Sequence, residues 1–257
     1  MTYRSLSPLL LAVAATGLVA CDMDTDSTPL ETRILELEGV VGVTIEDGPG
    51  RLEVLGDPTA TEMVVDVTLE TYTFQDAGDA EKDMTYTLEI MGDRAVLKVD
   101  IDETVGWADV KVWIPNSLPV EITDGSGDVE VRTVASLRLV DDSGEVAVRS
   151  VAGDLVIEDD SGDLDLTDIE GTVRITDDSG EIRLRDVGGA IEITDESGDL
   201  EVVDANETLR IHDGSGSIRV ERVMGRVDIY DGSGDITLVD TPDAWVMSDE
   251  GGEVYRH

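Results

Sequence analysis

Ser161-Gly162-Asp163-Leu164-Asp165-Leu166-Thr167-Asp168-Ile169, followed by Glu170-Gly171-Thr172-Val173-Arg174-Ile175-Thr176-Asp177-Asp178, is one full unit of a pattern that fills the second half of the chain. Each nine-residue half alternates apolar and polar side chains, the period-2 signature of a strand with one buried face. The inward pairs continue as Ile182/Leu184, Ile191/Ile193, Leu200/Val202, Leu209/Ile211, Ile218/Val220, Val227/Ile229 and Ile236/Leu238. A turn of the form D-x-S-G-D/E separates the units, with serines at 126, 143, 161, 179, 197, 215 and 233. Gly251 takes the serine place in an eighth copy. No half has room for a crossover helix. A fixed interval of 17 or 18 residues therefore predicts an all-β, parallel β-solenoid of stacked coils with two short strands per coil.

Outward residues test the stacking. One coil apart they should lie side by side, about 4.8 Å away. The series Asp165, Arg183, Glu201, Arg219 and the series Arg174, Glu192, Arg210, Asp228 both alternate in sign at every step. Such pairs favour one register and penalise a slip. One corner of each coil ends on an apolar residue, as at Val134, Val151, Ile169, Val187, Ala205 and Val223. The other corner carries an acidic series, Asp128, Glu145, Asp163, Glu181, Asp199, Asp235 and Glu253, interrupted only by Ser217. Trp245 falls on an apparent inward position and is expected to close the C-terminal end of the core.

Four divisions follow. Residues 118–257 are the regular repeats. Residues 31–117 are strand-rich but irregular and read as the opening of the solenoid, serving as its N-terminal cap, with a separate antiparallel domain as the alternative. Asp47-Gly48-Pro49-Gly50-Arg51-Leu52-Glu53-Val54 reads as a degenerate early copy of the repeat, and Met91-Gly92-Asp93-Arg94 as a hairpin turn. Residues 21–30 form an acidic tether. Residues 1–20 are a leader: Arg4 precedes the short apolar run Leu9 to Ala15, too brief to span a bilayer.

The leader ends Leu18-Val19-Ala20-Cys21, which resembles the lipobox of bacterial lipoproteins. That resemblance implies cleavage before Cys21, a diacylglyceryl thioether on its sulfur and an acylated amine, hence an exported, membrane-anchored protein. Two or three acyl chains hold a protein at a bilayer stably, since each buried methylene contributes roughly 0.8 kcal/mol. Cys21 is the only cysteine, so no internal disulfide can form. The formal net charge of −41, with three lysines among 257 residues, excludes nucleic acid and anionic lipid headgroups as partners. It suits a cationic partner, a protein or glycan surface, a divalent metal, or a salty medium.

Two readings of the acidic corner stand open. Asp142, Glu145, Asp160, Asp163, Asp178, Glu181, Glu196 and Asp199 would offer oxygens from adjacent coils to Ca2+, a hard cation that takes six to eight of them. Alternatively Asp, Ser and Gly are simply good turn formers, and their charge keeps sheet edges soluble. No other cofactor is indicated. The repeated G-S-G leads into strands, so it is not a phosphate loop. Seven equivalent serines cannot all be nucleophiles, and His212 and His257 are isolated in sequence. A carbohydrate-active β-helix would need a loop-built cleft, for which only residues 55–115 leave room. A ligand-free structural or stress-related envelope lipoprotein is the third alternative.

The passage Val110-Lys111-Val112-Trp113-Ile114-Pro115, with Val120-Glu121-Ile122-Thr123-Asp124-Gly125-Ser126-Gly127-Asp128-Val129-Glu130-Val131, resembles the bacterial family DUF4097 over residues 35–257. That family bears an inferred adhesin label and repeats S-G-D-[IVL]-x-[VL] strands. The resemblance implies a β-helical, envelope-associated, non-catalytic protein with an adhesin-like or structural role, and brings no catalytic residue with it.

Overall fold

In the computed structural model residues 25–72, 77–248 and 251–257 are described. Cys21 and the leader lie outside them. Strands dominate, and among the described residues the only helix is Ala77–Asp83. The repeats wind as expected. Strands such as Leu164–Ile169, Ile182–Val187 and Leu200–Ala205 stack in parallel in one sheet, and Val173–Asp177, Ile191–Asp195 and Leu209–Asp213 stack in the other. Both sign-alternating series come into register, with Asp165 beside Arg183, Arg183 beside Glu201 and Glu201 beside Arg219. Arg174 meets Glu192 at 2.8 Å, while Arg185 reaches Glu201 diagonally at the same distance. These exposed pairs contribute little energy each, about 0.2–1 kcal/mol, but they fix register.

Between the sheets every inward pair is 0–2% exposed, and so are the corner residues Val134, Val151, Ile169, Val187, Ala205 and Val223. Fully burying such a side chain is worth roughly 1.5–3 kcal/mol, so this column dominates stability. The corner explains how a third apolar residue turns inward. Strict alternation from Leu164 and Leu166 would point residue 168 inside, yet Ile169 is the buried one. Asp168 adopts φ 64°, in the left-handed region, and that single step shifts the parity. The same conformation recurs at Thr133, Ser150, Asp186, Asp204, Arg222 and Asp240. Aspartate tolerates it; a β-branched residue does not. Thr133→Asn is therefore expected to stabilise by roughly 1 kcal/mol, seen as about 2–4 °C in thermal unfolding. A lower melting temperature would show that the threonine side chain is itself needed there.

The N-terminal part is a cap built out of sequence order. Gly42–Glu46 and Leu52–Asp57 make a true coil whose turn, the early copy at Asp47–Gly50, bridges to the next through Pro49 and Ser126. That coil is held from both sides. Gly42–Glu46 lies between Arg94–Asp100 and the strand Pro119–Asp124. Leu52–Asp57 lies between Gly106–Pro115 and Val129–Val134. Antiparallel strands then close the end: Glu62–Tyr72 on Gly106–Pro115, and Thr85–Met91 on Arg94–Asp100. The tether is shorter than expected, because Thr25–Pro29 is already a strand on Glu62–Tyr72.

Candidate functional site

The D-x-S-G turn assigns a separate job to each of its residues. Its first aspartate continues the inward parity of the strand before it: Val173, Ile175 and Asp177 are all buried. The aspartates therefore stack inside, Asp124 beside Asp141, then Asp159, Asp177, Asp195, Asp213 and Asp231. Asp47 extends the column by one rung, since its strand continues alongside Thr123. All eight are 0–8% exposed. Neighbouring rungs of parallel strands sit about 4.8 Å apart.

Backbone N–H groups satisfy this column only in part. The N–H of Ser179, Ser197 and Ser215 donates to Oδ1 of Asp177, Asp195 and Asp213 at 3.2, 3.0 and 3.1 Å, leaving each Oδ2 without a hydrogen-bond partner. Burial disfavours the charged carboxylate, and the charge on adjacent rungs adds to it. Both effects push Asp177 and Asp213 up to about 7 and Asp124 to about 9. Desolvation first, then its neighbours Asp109 and Asp100, raise Asp47 to about 8. Burial is the leading cause for Asp159 and Asp195, both raised to about 6, and it also raises Asp141.

The remaining turn residues tie one coil to the next. Ser Oγ donates to a carbonyl of the preceding coil, from Ser161 to Asp142, Ser179 to Asp160 and Ser197 to Asp178, at 3.2–3.4 Å. The glycine N–H donates to the serine carbonyl of the following coil, as from Gly162 to Ser179 at 3.1 Å. The final acidic residue of a turn accepts the N–H of its counterpart one coil on: Glu181 to Asp163 at 3.0 Å and Ser217 to Asp199 at 2.9 Å.

The sequence-derived candidates lie on the outside of this turn. Asp142, Glu145, Asp160, Asp163, Asp178, Glu196 and Asp199 are exposed and Glu181 is half-buried. Among the described residues no group of three or more His, Cys, Asp and Glu side chains is placed to hold a metal ion. The sequence masks the buried rungs because aspartate beside Ser-Gly is also a favoured turn former. The parity of Val173, Ile175 and Asp177 was the signal that could have found them.

Trp245 corrects another expectation. The last coil is one residue short, pairing Val227 with Ala244 and Ile229 with Val246, so the indole points outward and is 45% exposed. There it meets Tyr230 edge-on at 5.2 Å, and Tyr230 in turn stacks on His212 at 4.6 Å. At the opposite end of the stack, a cavity of about 450 Å³ is lined by Asp47, Asp100, Asp124 and Asp142 with Glu46 and Lys98. Among the described residues no aromatic ring lines it.

Three solved structures resemble the chain at low identity. A candidate cell adhesion protein of Clostridium sporogenes is 11% identical, with a TM-score of 0.34 over 91% of this chain and 100% of its own. A candidate adhesin of Parabacteroides distasonis is 14% identical, with a TM-score of 0.41 over 90% and 97%. One from Parabacteroides merdae is 12% identical, at 0.39 over 88% and 96%. No curated protein matches the chain. The family model of the Toastrack domain, DUF4097, matches residues 61–244, and the chain belongs to that family.

Proposed function

We propose that this chain is a lipid-anchored protein of the bacterial cell envelope that works by adhesion-like surface contact and not by catalysis. The observation carrying this reading is the uninterrupted stack. From Pro119 to Val239 the coils repeat without an inserted loop, so both outer faces are continuous ribbons of paired side chains. Such a body presents area; it builds no cleft. Acidic side chains dominate the described lining of the cavity at the capped end, Asp47, Asp100, Asp124 and Asp142 with Glu46. The lipobox-like run ending at Cys21 supports the anchor, and anchoring gives a flat-faced stack something to be displayed from.

Cells carrying the intact chain are expected to attach to a test surface, and cells carrying Cys21→Ser to shed the protein into the soluble fraction and lose attachment. Attachment equal to that of cells lacking the protein altogether would sink the adhesive role. Retention of Cys21→Ser at the membrane would sink the lipid anchor.

Calcium loading of the outer rungs is separable from this reading. Asp163 and Asp199 already accept a backbone N–H of the next coil, and all eight except the half-buried Glu181 are exposed, so they are expected to behave as solvated charges. Calcium, magnesium and sodium chloride at matched ionic strength should then raise the melting temperature equally through screening. A rise with calcium alone would assign Asp142, Glu145, Asp160, Asp163, Asp178, Glu181, Glu196 and Asp199 to a metal ladder, since a specific ligand stabilises by RT ln(1 + [L]/Kd).

A further inference from the structure

The outer face of the last three coils carries a cluster of aromatic rings. In the column nearest the D-x-S-G turns, Thr194 is followed by His212, Tyr230 and Met247 in register. The His212 and Tyr230 rings lie parallel, 2° apart in plane, and Trp245 closes the group from the side. Thr194, His212, Tyr230 and Met247 border a shallow groove of about 350 Å³, and Trp245 flanks it through its contact with Tyr230. Asp195 and Asp213 lie along the same groove, with their side chains in the buried inner column.

Aromatic faces carry negative potential. A wall of rings favours an organic cation over an anionic group. Guanidinium suits the place better than ammonium, because it is planar, stacks on rings and is weakly hydrated. The arginine side chains of the neighbouring column do not compete for it. Arg226 is engaged by Asp228 at 2.7 Å, and Asp228 stands between Arg210 and Trp245. The net charge of −41 would steer a basic partner towards the molecule but cannot choose a spot on it. The rings can.

We propose that the His212–Tyr230–Trp245 face is a docking site for an arginine-bearing basic segment of a partner protein. This rests on the contact role proposed above and names the chemistry of its partner.

The test titrates a tetra-arginine peptide into the full protein in about 0.3 M salt, where exposed charges are screened, and follows the three indole N–H signals by NMR. The Trp245 signal is expected to move while those of Trp107 and Trp113 stay in place. Trp245→Leu and Tyr230→Leu leave the formal charge unchanged and should weaken calorimetric binding at least tenfold. Trp245 is well exposed, so its replacement keeps the fold even where Tyr230→Leu does not. Equal affinity in Trp245→Leu, or shifts shared by all three indoles, would mean diffuse charge attraction and overturn the proposal. So would a Trp245 shift produced by maltotetraose and not by the peptide. Loss of peptide binding with cell attachment intact would refute this groove and leave the adhesive role standing.

Discussion

Gly180→Ala is expected to cost at least about 3 kcal/mol, lowering the melting temperature by roughly 6–12 °C or preventing the fold. Gly180 has φ 150°, and a Cβ placed there would lie 1.7 Å from the Gly162 carbonyl oxygen of the adjacent coil. The obstacle is backbone, so no side-chain rotation relieves it. Coils cannot move apart locally either, because the flanking N–H groups of Gly162 and Gly180 bond to Ser179 and Ser197. Gly92→Ala is the control. Gly92 also has positive φ, 68°, but nothing lies within 4 Å of its would-be Cβ, so only the conformational cost of roughly 1 kcal/mol applies. A fall for Gly180→Ala no larger than for Gly92→Ala would show that the turn column is compliant.

Raising the pH from 5 to 9 at constant, high ionic strength should lower stability, and the inner aspartates decide the sign. Their folded pKa values lie above the unfolded value of 3.8, so the native state holds their protons more tightly. The stability they contribute is fully present below the unfolded pKa. It is lost as pH climbs through the folded values, from about 6 for Asp159 and Asp195 to about 9 for Asp124. Groups of the opposite kind limit the gain in acid. Asp154 is held low by the backbone N–H and hydroxyl of Thr172, and Glu192 by hydrogen bonds from Arg174. Their contribution is lost as pH falls through their depressed folded values, below the ordinary carboxylate range. Melting temperature should therefore peak between about pH 4 and pH 6. Asp177→Asn keeps an acceptor for the Ser179 N–H and cannot ionise. It should melt higher than the native chain at pH 8, by about 2–4 °C for each kcal/mol gained, with the difference shrinking at pH 5. The same difference at both pH values would remove the inner column from the explanation.

Periodic information reads directly from this chain; information about which equivalent surface meets which does not. Inward pairs such as Leu164/Leu166 and the alternation Asp165, Arg183, Glu201, Arg219 each constrain a neighbour one interval away, so coil length, sheet number and register follow from them. The buried aspartates obey the same parity but carry a residue type with two roles. Turn chemistry and burial compete for the reading of Asp177, and only the backbone path shows that it serves both. Trp245 was misplaced because one deletion in the last coil inverts every assignment after it. The positive φ of Asp168 and its counterparts left no mark beyond a preference for aspartate, which Arg222 and Thr133 obscure. The position of Gly42–Asp57 between two later segments was illegible for another reason. Its strands present the same apolar pattern to either side, and nothing local ranks the partners.

That interleaved coil also sets how the chain acquires its shape. The coil of residues 42–57 needs residues 94–115 on one side and 119–134 on the other, so it is not enclosed until residue 134 is available. Closing those distant segments is the entropically expensive event. Each later coil closes only 17 or 18 residues onto a finished template, as Leu164–Ile169 does onto Val146–Val151. The contact pattern predicts a slow closure at the N-terminal end and faster addition of each regular coil. A chain emerging N-terminus first spends its vulnerable interval early, before a single regular repeat has formed.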